Sequence, residues 1–178
     1  MLDFNNTEIA FSAKSEGELK NAYLLFNTIK YPGLVKFAKW GTMIALKIHF
    51  PLAWAVKPTL YKQFVGGETL QDCEKAINHL KEFNVMSTLD FSAEGEQTPE
   101  GIQATFEETI RSIDYAKENK NLAYAVFKPS TITTDELLAK ASERHSELTI
   151  EEVKAFREFK ERFMALCQRA YDNDVRIL

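Results

Sequence analysis

Cysteine and histidine are scarce in this chain of 178 residues, and the chain has no excess of positive charge. The two cysteines, Cys73 and Cys167, are far apart in sequence and have no partner nearby. Disulfide frameworks and structural zinc sites need more cysteines, or histidines at ligand spacing, so neither is predicted and no metal site is expected. Both thiols are instead expected to be free and buried, as is usual in a reducing cytoplasm.

Basic residues do not outnumber acidic ones. The chain has 22 Lys and Arg against 26 Asp and Glu, which gives a formal net charge of −4. A surface that follows a phosphate backbone needs an excess of Lys and Arg, so nucleic-acid binding is not expected. The hydrophobic content of 45% is sufficient for a globular core in one domain.

A long uncharged apolar run is also missing. The most apolar segment, residues 34–56, is interrupted by three lysines and by Pro51, so no run reaches the roughly 18 residues of a transmembrane helix. The first residues carry no basic region or apolar core, so a secretory signal is not expected. Two interpretations of residues 34–56 remain, a helical cap packed on the domain, which is favoured, and a segment that rests against a membrane face through Trp40 and Trp54.

Helical periodicity alternates with short apolar runs in the second half of the chain. The spacing of apolar residues predicts helices over 15–29, 34–50, 69–83, from Pro99, over 135–141 and from Thr149 to about 171. Strands are predicted over 85–91, over 122–127 and from Val175. Strands that alternate with amphipathic helices are typical of an α/β fold with a parallel sheet.

A barrel is favoured over an open dinucleotide-binding sheet. The turn after the first strand, residues 90–96, lacks the Gly-x-Gly-x-x-Gly fingerprint of such a sheet. The expected organisation is an amino-terminal helical cap, residues 1–68, followed by residues 69–178 as the first part of a (βα)8 TIM-type barrel that stops in its third strand.

Two charged residues lie at the ends of the predicted strands, and active sites of barrels lie at these strand ends. Asp90 lies at the end of the first strand, where it either pairs with a cation to lock the strand end or takes a direct role. Lys128 follows the second strand, and its ammonium points either toward a small anionic substrate or outward to solvent. Glu94 lies in the next loop, where most glutamates are solvated. Spacing alone therefore names no reaction.

Five stretches resemble, in their order along the chain, the proline dehydrogenase family. They are NTEIAF at 6–11, FVGGET at 64–69, LDFSAEG at 89–95, AVFKPS at 125–130 and AYDNDV at 170–175. The resemblance implies a FAD-dependent barrel enzyme that oxidises L-proline to pyrroline-5-carboxylate and passes electrons to quinone. It covers essentially this whole chain, but only the amino-terminal part of the family's catalytic domain.

The resemblance also implies roles for the three charged residues. Lys128 would bind the substrate carboxylate, Glu94 would pair with an arginine and gate the pocket, and Asp90 would support the site. The resemblance implies that most FAD contacts, and the other groups that hold the substrate carboxylate, lie on later strands. This chain alone is therefore expected to be inactive. The expected location is the cytoplasm, with peripheral contact at the inner membrane.

Two other functions remain open at this point. One is a noncatalytic helical interaction module that uses residues 34–56 as its contact surface. The other is a different small-molecule barrel enzyme, which the same pattern of strands and strand-end charges would serve equally well.

Overall fold

A computed structural model describes residues 5–91, 97–143 and 147–178 of the chain. The chain divides into two compact units, Met1–Phe83 and Asn84–Leu178. The predicted division at residue 68 stays a prediction.

The first unit is helical. Its elements are α1 Thr7–Ala10, α2 Glu16–Ile29, α3 Pro32–Lys47, α4 Ala53–Val56, a π-helical turn Lys57–Tyr61, α5 Lys62–Phe64 and α6 Leu70–Glu82. The helices expected at 15–29, 34–50 and 69–83 are therefore confirmed, with small shifts at their ends. The helical segment from Ala53 to Phe64 was not predicted from the sequence.

Two capping boxes determine where α2 and α6 begin. Ser15 Oγ accepts a hydrogen bond from the Glu18 N–H while the Glu18 carboxylate accepts one from the Ser15 N–H. Thr69 and Asp72 make the same reciprocal pair at the start of α6. Each box satisfies two backbone donors that a helix end would otherwise leave without partners.

The first unit buries few side chains. Among its described residues only Ile77 is buried, with 1% of its surface exposed. In α3, Phe37 is 68% exposed and Trp40 is 61% exposed. None of the helices in the described part of the chain has both the length and the apolar character that a bilayer span requires.

The second unit combines helices with parallel strands. Its elements are β1 Ser87–Leu89, α7 Pro99–Glu118, β2 Leu122–Ala125, a 3-10 turn Pro129–Thr131, α8 Asp135–Glu143 and α9 Ile150–Asp172. β1 and β2 are parallel, with Leu89 opposite Ala125. The α/β class is therefore confirmed. Both strands are shorter than predicted, because pairing extends only over these residues.

The end of the chain joins the sheet on the other side of β2. Ile177 forms a parallel bridge with Ala125. The Ala125 N–H donates to the Arg176 carbonyl at 2.9 Å, and the Leu178 N–H donates to the Ala125 carbonyl at 3.0 Å. The strand expected from Val175 thus pairs with β2 through a short stretch.

The core of the second unit lies between β2 and the helices α7 and α9. Its buried members are Ile113, Ala125, Ile132, Leu166 and Ala170. Phe127 and Phe163 pack against this cluster with their ring centres 5.5 Å apart. This packing holds the carboxyl end of β2, where Lys128 follows, in a defined position.

Candidate functional site

The ends of β1 and β2 bring two sequence-predicted residues together. The Lys128 ammonium donates to Asp90 Oδ2, with 2.8 Å between Nζ and the oxygen. The two side chains are 43% and 40% exposed, respectively. Since the strands are parallel neighbours, their carboxyl ends lie at one edge of the sheet. The third predicted residue, Glu94, lies outside the described residues.

The backbone at Lys128 is fixed by the residues that follow it. Lys128 is extended, with φ −105° and ψ 130°, because the residue before a proline is excluded from the helical region. The Lys128 carbonyl accepts from the Thr131 N–H at 2.9 Å and from Thr131 Oγ1 at 2.8 Å. Thr131 is buried, so this anchor is protected from water.

Sequence reasoning missed Thr131, although a signal was present. A threonine three residues after a strand-end residue, with a proline between them, is well placed to bond back to that residue's carbonyl. Thr131 holds the backbone from which the Lys128 side chain extends, so it is a positioning residue for the pair.

The geometry of the pair suits reversible binding of a small anion. A half-exposed ion pair contributes only about 0–1 kcal/mol to stability, because water screens both charges. The ammonium can therefore exchange the Asp90 carboxylate for a ligand carboxylate at little cost. Within the ranges that the structure describes, no group of three or more His, Cys, Asp or Glu could hold a metal ion.

Both cysteines are free, as predicted, but they are half-buried rather than buried. In α6 the apolar face is narrow: Ile77 alone is enclosed, and Cys73 lies one turn away from it. Burial nevertheless raises the pKa of the Cys73 thiol, which disfavours the reactive thiolate. Neither the fold nor the electrostatics of Cys73 indicates a nucleophile.

Asp90 and Lys128 meet beyond the carboxyl ends of two parallel strands, the side of the sheet where parallel α/β proteins commonly place binding sites. The chain is 29% identical over 92 residues to the carbapenem antibiotics biosynthesis protein CarD of Pectobacterium carotovorum subsp. carotovorum, which covers 52% of this chain and 24% of that protein. It is 30% identical over 113 residues to the mitochondrial proline dehydrogenase 1 of Bos taurus, covering 62% of this chain and 19% of that one. The Drosophila melanogaster counterpart is 29% identical over 121 residues, covering 67% and 18%.

These similarities confirm the resemblance to proline dehydrogenases that was seen in the sequence. The chain spans 24% of the length of the carbapenem biosynthesis protein and a little under a fifth of the length of each of the two proline dehydrogenases. No family model and no solved structure matches the chain.

Proposed function

We propose that the protein containing this chain is a flavin-dependent proline dehydrogenase that oxidises L-proline to pyrroline-5-carboxylate and passes the electrons to quinone. The relatives named proline dehydrogenase support this activity. The observation that carries the proposal is the 2.8 Å contact between Lys128 and Asp90 at the ends of two neighbouring parallel strands. Enzymes with parallel barrels bind their substrates at that edge.

The proposed architecture is the first part of a (βα)8 barrel. β1, β2 and the residues around Ile177 pair in chain order, and every pairing is parallel. Long helices separate them, with α7 between β1 and β2 and α9 before the last pairing. This order is that of consecutive βα units in a barrel.

Each charged residue has a distinct proposed role. Lys128 binds the proline carboxylate through its ammonium, a charge-assisted hydrogen bond. Asp90 holds the ammonium in place until the substrate arrives. Glu94 closes the pocket by pairing with an arginine.

The described strand ends do not by themselves fit FAD. A flavin dinucleotide carries a diphosphate, which proteins hold with helix N-termini, backbone N–H groups or several cations. The Lys128 ammonium already pairs with Asp90 and suits one small carboxylate. We therefore assign FAD to residues other than these and derive no step through it.

The proposed location is the cytoplasm with peripheral contact at the inner membrane, where quinone resides. The exposed rings of Phe37 and Trp40 in α3 stand beside Lys36 and Lys39 in the sequence. Aromatic rings next to lysines suit the boundary of an anionic bilayer.

The same surface supports a second candidate, the noncatalytic interaction module. In α3 no residue is buried, and its aromatic side chains could serve a protein partner as well as a lipid surface. Bound flavin in the purified protein separates the two functions, since an interaction module needs none.

The decisive experiment measures proline-dependent reduction of an artificial electron acceptor by the complete gene product. Lys128→Met should raise the KM for proline by about 30-fold, because a charge-assisted bond worth roughly 2 kcal/mol is lost. Lys120→Met, before the amino end of β2, is the matched control and should leave the KM unchanged. A protein that binds FAD but reduces no acceptor with proline would disprove the proposal.

A further inference from the structure

The first unit contains a cleft that the proposed proline site does not use. It has a volume of about 300 Å³ and lies between α2 and the helical segment that includes the π-helical turn. Its floor is apolar and contains Leu24, Leu25 and Pro58. Cavities of this volume are at the small end of those that bind organic ligands.

Polar side chains that form no hydrogen bond or ion pair among the described residues line the same cleft. Lys14, Asn21 and Gln63 contribute an ammonium and two amides. None of these three side chains forms a hydrogen bond or an ion pair within residues 5–91, 97–143 and 147–178. A ligand with an oxygen-rich head would satisfy all three donors.

The charge of the cleft favours an anion. Lys14 and Lys62 carry two positive charges, against one negative charge on Glu18. The Glu18 carboxylate is already committed, because it accepts from the Ser15 N–H at 3.0 Å and from Ser15 Oγ at 2.8 Å. Its other oxygen lies 3.7 Å from the Lys62 ammonium. Besides the Ser15 hydrogen bonds, the charge of Lys14 also lowers the pKa of Glu18, but Lys14 forms no ion pair among the described residues, so it is the cation that remains available to a ligand.

The wall opposite α2 has an unusual backbone. Pro58 has no N–H to donate to a carbonyl four residues earlier, and the Lys62 N–H reaches the Lys57 carbonyl five residues back. Such π-helical turns are rare and are frequently found at functional sites. The wider turn places Thr59 and Gln63 along the cleft.

We propose that this cleft binds a medium-chain aliphatic carboxylate, with its chain on Leu24, Leu25 and Pro58 and its head at Lys14. A volume of about 300 Å³ equals that of about ten waters, so a ligand of about ten heavy atoms fits. Octanoate has that size, and it has both the aliphatic chain and the carboxylate head that the proposal requires. It is therefore the probe, and octan-1-ol is its uncharged counterpart.

The test is calorimetric titration of both probes into the purified protein and four variants. Lys14→Met should weaken octanoate binding by at least about tenfold, because octanoate loses the ammonium that pairs with its carboxylate. Octanol has no carboxylate, so its binding should not change. Lys20→Met, on α2 but outside the cleft, is the control for loss of a nearby lysine and should change neither. Circular dichroism verifies that each variant is folded.

A second pair of variants tests the apolar floor. Leu24 and Leu34 are both 53% exposed, but only Leu24 lines the cleft. Leu24→Ser should weaken both probes, and Leu34→Ser should weaken neither. The proposal would be overturned if octanoate bound the original protein and Lys14→Met with equal affinity. It would also be overturned if octanoate did not bind at concentrations up to about 10 mM, which is the weakest affinity expected of a ligand this small.

Discussion

Asp90 and Lys128 form the contact on which the proposed function depends. Their adjacency follows from sequence, because both residues lie just beyond the carboxyl ends of neighbouring parallel strands. Their roles do not follow, since a strand pattern cannot tell whether a side chain serves a ligand or only its ionic partner. The anchoring of Lys128 by Thr131 is a local hydroxyl contact that hydrophobic periodicity does not report.

Replacing Asp90 should separate structural from functional roles of the pair. Asp90→Asn should lower the free energy of unfolding by no more than about 1 kcal/mol, because both side chains are substantially exposed. Urea denaturation at neutral pH measures this. A much larger loss would mean that the pair mainly locks the strand ends.

A second ionic contact, between Asp114 and Arg169, should make stability depend on pH. Arg169 Nε donates to Asp114 Oδ1 at 2.7 Å, and its terminal nitrogen donates to Oδ2 at 2.8 Å. These bonds from Arg169, together with one from Asn173, lower the pKa of Asp114 in the folded state. The stabilisation is therefore complete above the unfolded pKa near 4 and is lost as the pH falls through the folded pKa.

Urea denaturation between about pH 3 and pH 7 checks the Asp114 prediction. Asp114→Asn should be modestly less stable at neutral pH and should lose less stability on acidification. Glu118→Gln, on the same helix, is the control and should keep the original pH dependence. Identical pH profiles for the original protein and Asp114→Asn would contradict the assignment.

Among the elements, helices that begin with a strong cap were the most predictable. Thr98 and Thr149 cap α7 and α9 as expected from the sequence. The segment from Ala53 to Phe64 was missed because Pro51 and Pro58 are typical helix breakers. Strand lengths were overestimated because they depend on the neighbouring strand and not on the residues alone.

Glycine substitutions should have opposite effects in the turn before α6 and inside α3. A Cβ on Gly67 would lie 2.7 Å from Asp72 Cβ and 2.8 Å from the Cys73 nitrogen, so the start of α6 would have to move. Gly67→Ala should therefore cost about 1–3 kcal/mol. Gly41 lies inside α3 with nothing within 4 Å of an added Cβ, and Gly41→Ala should stabilise by up to about 1 kcal/mol.

Thermal melts followed by circular dichroism measure both glycine variants against the original protein. The two substitutions add the same atom, so the difference between them reports the backbone conformation and the surroundings of each glycine. A Gly67→Ala protein as stable as the original would show that the turn before α6 can shift freely.

At the scale of the whole molecule, the relation to proline dehydrogenases was predictable from an ordered set of short stretches. The barrel was not settled by the same reasoning. β1 and β2 pair along three residue positions, and Ala125 makes one further bridge. A closed (βα)8 barrel has eight strands, each paired on both edges.

The 178-residue chain on its own is expected not to oxidise proline. Its described strands leave one edge of β1 without a partner strand, and exposed strand edges and aromatic residues favour association. The purified chain should therefore elute as a concentration-dependent mixture in size-exclusion chromatography and take up no flavin. A monodisperse, yellow and active preparation would refute this expectation.

The uneven distribution of buried side chains between the two units has a consequence for their amide protons. The second unit encloses Ile113 and Leu166 completely, whereas the described part of the first unit encloses only Ile77. Local opening costs least where little apolar surface is covered. Deuterium should therefore enter the backbone of α2 and α3 well before that of α7 and α9, so α3, with the exposed rings of Phe37 and Trp40, is also among the first helices to open.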